Sequence, residues 1–295
     1  MNQYIPQLLK NLPLFLYSFG RAWREIPITF SFNLADRCPI GCSCYWRAQA
    51  RVNELSDEDV INFFETRRYE GYRHATIVGG EPYVRPRLLR DVTSIMRSSW
   101  VVTSGTTPLS ALPRTTHFIS IDGADADTHD FIRKSPRLYE RIIRNLSNAR
   151  AKGKFPAYIH AVLNSQNYKQ IGDILSVWKN NGLADGVLFS TLTPIKDSGD
   201  EPLRLSYDQR IWIVEELSRA KRCFGRFLCM TSFMIRAVHP NVTKSRTPKN
   251  CGVALLTPSY DSAGKRIKQC ILSDKANCSE CGCVITSLTD TYLHG

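Results

Sequence analysis

The chain has 295 residues, 43% hydrophobic and 22% charged, a balance that excludes a disordered chain and provides for one large domain with an extension. The 39 basic against 27 acidic residues give a formal charge of +12, which points to an anionic partner. No basic run exceeds a few positions, however, and "RTPK" and "GKRIK" read as solvated loops and strands, so a nucleic-acid surface is not the expectation.

Residues 4 to 23 place Ile5, Leu8, Leu9, Leu12, Leu16, Phe19 and Trp23 on one apolar helical stripe, kinked at Pro13. The stripe is too short to span a bilayer and is interrupted by Gln7, Lys10 and Asn11. It reads either as a helix packed on the following domain or as an amphipathic helix resting on a membrane surface, with Lys10, Arg21 and Arg24 near the headgroups. The opening "MNQYIPQLLK" lacks the layout of a signal peptide, so the expected location is a reducing cytoplasm, with peripheral contact at the inner membrane surface as the sharper variant.

From residue 27 short apolar strands alternate with helical stretches, the pattern of a parallel α/β domain. "ITFSFNLA" is the first strand, and Ser56 caps a helix that carries Val60, Phe63 and Phe64 inward. "HATIVGGEP", "WVVTSGT", "HFISIDGAD", "AYIHAVLN" and "DGVLFSTLTP" follow as strands, separated by "RLLRDVTSIMRS", "YERIIRNLSNARAKG" and "IGDILSVWKNNG" as helices and closed by the long helix "SYDQRIWIVEELSRAKRC". Six strands over about two hundred residues fall short of the roughly 250 of a complete eight-stranded barrel. The fold class is therefore α/β: a partial (β/α)6 TIM-like barrel over residues 27–240, with an N-terminal amphipathic segment at 1–26 and a small cysteine-rich C-terminal extension at 241–295, the boundary marked by "PNVTKSRTPKN".

In such barrels the functional residues gather at the carboxyl ends of the strands. Here "DRCPIGCSCYW" follows strand one, "GGEP" ends strand two, "TSGT" strand three and "SIDGAD" strand four. Cys38, Cys42 and Cys44 are too close together for a disulfide framework, so they hold a metal or are reactive. Three thiolates can each hold one iron of a cubane [4Fe–4S] cluster and leave the fourth iron open; a zinc ion borrowing a distant ligand is the alternative.

Cys251, Cys270, Cys278, Cys281 and Cys283 form a second group. "CGVALLTPSYDSAGKRIKQC" reads as two short strands joined by "DSAGK", a hairpin that brings Cys251 to Cys270, and "NCSECGC" adds thiols on a tight loop. Four of these make a closed all-sulfur site, for which spacing alone does not separate zinc from iron. Cys223 and Cys229 read as ordinary half-buried thiols.

The cysteine loop after strand one, followed by "GGEP" after strand two, resembles the radical S-adenosylmethionine superfamily over residues 27 to 220. The resemblance implies an enzyme whose cluster, on Cys38, Cys42 and Cys44, chelates S-adenosylmethionine and cleaves it reductively to a 5′-deoxyadenosyl radical, with electrons from a donor such as ferredoxin or flavodoxin. It also implies that Gly79, Gly80, Glu81 and Pro82 bind the methionine amino group, that Thr103 and Ser104 read the ribose or the carboxylate, that Ser120, Asp122 and Arg133 lie near the cofactor, and that Tyr45 stacks on adenine. The loop departs from the usual C-x3-C-x2-C: it reads C-x3-C-x-C, with Tyr45 and Trp46 after the third cysteine rather than an aromatic before it. The tail is similar to the SPASM and twitch extensions, and loosely to the adenosylhopane synthase branch. This implies a second, auxiliary [4Fe–4S] cluster on Cys251, Cys270, Cys278 and Cys281, with Cys283 substituting or spare. The implied substrates are a lipid or isoprenoid, or a peptide; only about 26 residues precede the barrel, which weighs against a peptide-recognition domain there. The competing class is a zinc- and nucleic-acid-binding protein with structural cysteine sites.

Overall fold

The computed structural model describes residue 27, residues 29–41 and residues 53–287. The expected N-terminal helix lies outside these residues, as do Cys42, Cys44 and Tyr45.

Local sequence sets most element starts. Ser56 accepts a hydrogen bond from the Asp59 N–H (3.1 Å) and opens α1 (Asp57–Tyr69), whose Val60 and Phe64 are buried. Along the chain β1 (Thr29–Asn33) and α1 are followed by β2 (His74–Val78), α2 (Pro86–Ile95), β3 (Ser98–Thr103), β4 (Thr115–Ser120), α3 (Ala126–Arg133), α4 (Leu138–Ala151), β5 (Ala157–Leu163), α5 (Ile171–Asn181), β6 (Gly186–Thr191) and α6 (Tyr207–Phe224). Every strand and helix expected in this stretch is present. Helix α3 is additional: Asp125, the last residue of the stretch expected as the fourth strand, accepts from the Thr128 N–H and caps it. At α6 a full capping box forms between Ser206 and Gln209.

Strands β1 to β6 pair in parallel in chain order, with Ile77, Ile119 and Ile159 fully buried among them. Burying a side chain of this size contributes about 1.5–3 kcal/mol. Three short helices, α7 (Ser232–Ala237), α8 (Pro240–Thr243) and α9 (Gly252–Leu256), lead to β7 (Ser259–Tyr260) and β8 (Arg266–Ile267). The sheet is thus eight-stranded and open, in the order β6-β5-β4-β3-β2-β1-β7-β8. The hairpin expected after Cys251 forms, but with strands of only two residues, because Gly252–Leu256 winds into a helix before Pro258 can end it.

The cysteine-rich extension is fastened to both ends of the six-stranded arc. β7 pairs in parallel with β1. At the other end Ala276 bridges to Ile195, the Asn277 N–H donates to Pro194 O (2.8 Å) and the Thr191 N–H donates to Gly282 O (3.0 Å). The extension therefore spans the gap that six strands leave, and its cysteines arrive beside the carboxyl end of β6. Among the described residues no helix is long and apolar enough to cross a membrane.

Candidate active site

The turn after β2 packs directly on residues 35–37, the segment that leads from β1 into Cys38. The Gly80 N–H donates to Ala35 O (2.7 Å) and the Glu81 N–H to Arg37 O (2.9 Å). A Cβ on Gly79 would stand 2.5 Å from Ala35 O and one on Gly80 2.3 Å from Arg37 O, and Gly79 also takes φ +129°, so only glycine fits. Cys38, half-buried, begins the thiol loop at this contact. Arg85, which sequence reasoning passed over, holds both ends of the loop: its guanidinium donates to Leu34 O (3.0 Å) and Leu55 O (3.0 Å).

Glu81 is fully buried. One carboxylate oxygen accepts from the Tyr83 N–H (3.0 Å) and the Thr103 hydroxyl (2.7 Å), the other from the Ser104 N–H (2.8 Å) and hydroxyl (2.5 Å). Glu81, Thr103 and Ser104, expected together on separate strand ends, thus meet in one network, while Pro82 opens a single 3-10 turn, Pro82–Val84. Asp122 and Arg133 also meet, as a largely buried ion pair at 2.7 Å, and the second Asp122 oxygen accepts from the Val162 N–H (2.9 Å). Ser120 is buried at the end of β4.

Beside the pair lies a cavity of about 160 Å³ lined by Asp122, Arg133, His160, Asn164, Ser190 and Asp200, among others. His160 Nε2 is 2.8 Å from the Ser190 hydroxyl, and burial pushes its pKa down to about 4, so the ring is neutral near pH 7. His160, Ser190 and Asp200 were not singled out from the sequence. The signal was there for the first two, polar residues in otherwise apolar strands β5 and β6.

All five cysteines of the extension line a second, smaller cavity of about 30 Å³, with Arg246, Gln269 and Thr286. Burial first, and then the neighbouring thiols, push Cys270 up to about 12 and Cys278 and Cys283 up to about 11. Gln269 Nε2 donates to Cys278 Sγ at 2.8 Å. Among the described residues no three His, Cys, Asp or Glu side chains already stand around one metal position. The fit to a metal rests on the donor chemistry: five thiols on one enclosed cavity suit a soft, thiophilic centre, whose binding must displace their protons. Gly282 locks the loop in place, since a Cβ there would stand 1.8 Å from Thr191 Oγ1, and the Gly282 N–H donates to Thr193 Oγ1 (2.9 Å). Thr193, Leu272 and Cys283 line both cavities and form the wall between them.

No family model matches the chain. It is similar to the AdoMet-dependent heme synthase of Methanosarcina barkeri, 28% identical over 219 residues, 68% of this chain and 61% of the relative. It is also similar to the GTP 3′,8-cyclase of Listeria welshimeri, 25% identical over 210 residues, 65% and 59% respectively. The chain thus spans about three fifths of the length of these two relatives. Among solved structures, SuiB of Streptococcus suis bound to precursor peptide SuiA superposes with a TM-score of 0.67 at 15% identity, over 95% of this chain and 69% of that one. The structure named native anSMEcpe with bound AdoMet and Cp18Cys peptide gives 0.63 at 14%, over 89% and 80%. The fold is thus the open parallel α/β barrel of enzymes that bind S-adenosylmethionine. In sequence and in fold the chain is thus similar to enzymes of the radical S-adenosylmethionine superfamily.

Proposed function

We propose that the protein cleaves S-adenosylmethionine reductively at a [4Fe–4S] cluster on Cys38, Cys42 and Cys44, and modifies a substrate held in the cavity beside Asp122 and Arg133. The observation that carries this reading is the packing of the Gly79–Gly80 turn on the Ala35–Arg37 backbone, the segment immediately before Cys38. A structural zinc site has no use for that arrangement.

When bound, the cluster and S-adenosylmethionine supply a 5′-deoxyadenosyl radical. The work of the chain is binding and placement. Cys38 offers soft sulfur to iron, with Cys42 and Cys44 as its partners. The carboxylate of Glu81 is taken up by Tyr83, Thr103 and Ser104, so it ties the turn after β2 to the end of β3 and leaves the backbone of the turn for the methionine group. Asp122 orients Arg133, whose charge suits the cofactor carboxylate. In the second cavity Cys251, Cys270, Cys278 and Cys281 would hold an auxiliary [4Fe–4S] cluster, with Cys283 facing the substrate or substituting for one of them. An external one-electron donor of the ferredoxin or flavodoxin type completes the system. Solved neighbours that carry bound peptides support a peptide substrate ahead of a lipid.

Anaerobic reconstitution tests the reading, with iron and sulfide content and 5′-deoxyadenosine release measured on one sample. Two cubane clusters predict about eight irons per chain. Zinc in place of iron, with no deoxyadenosine formed, would overturn it.

A further inference from the structure

The barrel cavity has an electrostatic imbalance. Asp200, on the loop that follows β6, is 5% exposed and lines the cavity. Among the described residues no donor reaches its carboxylate, so its hydrogen-bonding capacity is left to whatever fills the cavity. The other charges on the same wall are already matched: Asp122 faces Arg133 at 2.7 Å. His160 adds no cation, since burial holds its pKa at about 4 and Ser190 takes its Nε2. Asp200 is therefore an acid of the described lining that has no cation of that lining paired with it. The Thr191 hydroxyl, 3% exposed and also on the lining, has no hydrogen-bond partner either.

We infer that Asp200 is the substrate-recognition group of this cavity and that the substrate presents a protonated amine to it. The inference rests on the cavity being the substrate site proposed above. An ammonium supplies both the missing charge and the missing donors, and Asn164 and Thr191 offer polar contacts on the same lining. The volume, about 160 Å³, suits one aminoalkyl side chain or a small amine rather than a whole peptide. An anionic substrate such as a nucleoside triphosphate would meet a carboxylate with like charge, and a plain hydrocarbon would leave Asp200 buried without a donor. The amine-bearing group would lie within the cavity that Cys283 walls off from the other cysteines.

The test is binding to the anaerobically reconstituted protein with S-adenosylmethionine present, by calorimetry at constant ionic strength, with n-butylammonium, butyramide and butyrate as probes. The wild type should bind butylammonium at least about tenfold more tightly than either isostere, as a charge-assisted contact in a buried site implies. Asp200→Asn should erase that preference while keeping the same iron content and far-ultraviolet circular dichroism. Equal binding of the three probes, a preference for butyrate, no binding of any, or a preference that survives in Asp200→Asn would each overturn the inference. Iron content and S-adenosylmethionine affinity on the same samples report separately on the enzymatic reading. A fully loaded protein without amine preference fails the inference alone. A protein that holds neither iron nor S-adenosylmethionine yet still selects butylammonium fails the function and keeps the recognition.

Discussion

Glu81 and Ser104 are joined twice: one carboxylate oxygen accepts from both the Ser104 N–H (2.8 Å) and its hydroxyl (2.5 Å). The contact ties the end of β2 to the end of β3 at the point where the glycine turn meets the cysteine loop. Replacing a fully buried, fully bonded carboxylate strands its donors, at about 1–3 kcal/mol for each group left unsatisfied. Glu81→Ala should therefore lower the urea midpoint and weaken S-adenosylmethionine binding together. Glu81→Gln keeps the shape but loses charge and acceptors, and should fall between. Wild-type stability in Glu81→Ala would show that the network contributes nothing.

The two glycine contacts predict separable losses of iron. Gly80→Ala places a Cβ against the Arg37 carbonyl and should displace the first cysteine loop, removing about four of the expected eight irons and all deoxyadenosine formation. Gly282→Ala does the same to the second loop through Thr191, and should remove the other four while cleavage of S-adenosylmethionine persists. Iron assays on both variants check this, and loss of all iron from either would mean that the sites are not independent.

Thiol replacement gives a second route to the same division. Cys38/Cys42/Cys44→Ala should reduce iron from about eight to about four and abolish cleavage. Among the extension cysteines, Cys251→Ala and Cys278→Ala should each remove the auxiliary signal in electron paramagnetic resonance, and Cys283→Ala should keep it. An auxiliary signal lost from Cys283→Ala alone would move Cys283 into the ligand set.

His117 and His129 are both fully buried, and burial lowers each pKa from the ordinary 6.5 to about 4. The folded state thus refuses protons that the unfolded chain accepts below pH 6.5. Their stabilising contribution is present above pH 6.5 and declines as the pH falls towards 4, by up to about 1.4 kcal/mol per pH unit for each ring. Denaturation midpoints between pH 7 and 4.5 should fall less steeply in His117→Gln than in the wild type. Parallel curves would show that this ring is not responsible.

Arg85 should act on the first site without touching it, because it bonds Leu34 O and Leu55 O on either side of the thiol loop. Arg85→Met is expected to leave the barrel folded and to accelerate iron loss to a chelator from the first site only. Unchanged chelation kinetics would remove Arg85 from the list of positioning residues.

Much of this could be read along the chain. The alternation of buried strands and amphipathic helices, Ser56 as a cap, two thiol clusters and "GGEP" at a strand end are local signals, set by side-chain periodicity and residue chemistry. Helix α3 was less legible, since its cap, Asp125, closes a stretch that reads as the fourth strand and bonds Thr128 just beyond it. The short helix Gly252–Leu256 was missed because a five-residue apolar run fits a strand as readily as a helix.

What the amino-acid order determined by itself was therefore the class of fold and which strand ends carry the cysteine, glycine and acidic motifs. Only the tertiary structure decided that the extension reaches both ends of the open sheet, that Glu81 is spent on Thr103 and Ser104, that Arg85 clasps the cysteine loop, and that Asp200 faces a cavity without a partner. The reason is physical. A cap or a strand depends on neighbours a few residues away, whereas each of these contacts joins segments distant in the chain, whose approach is set by the packing of the whole barrel.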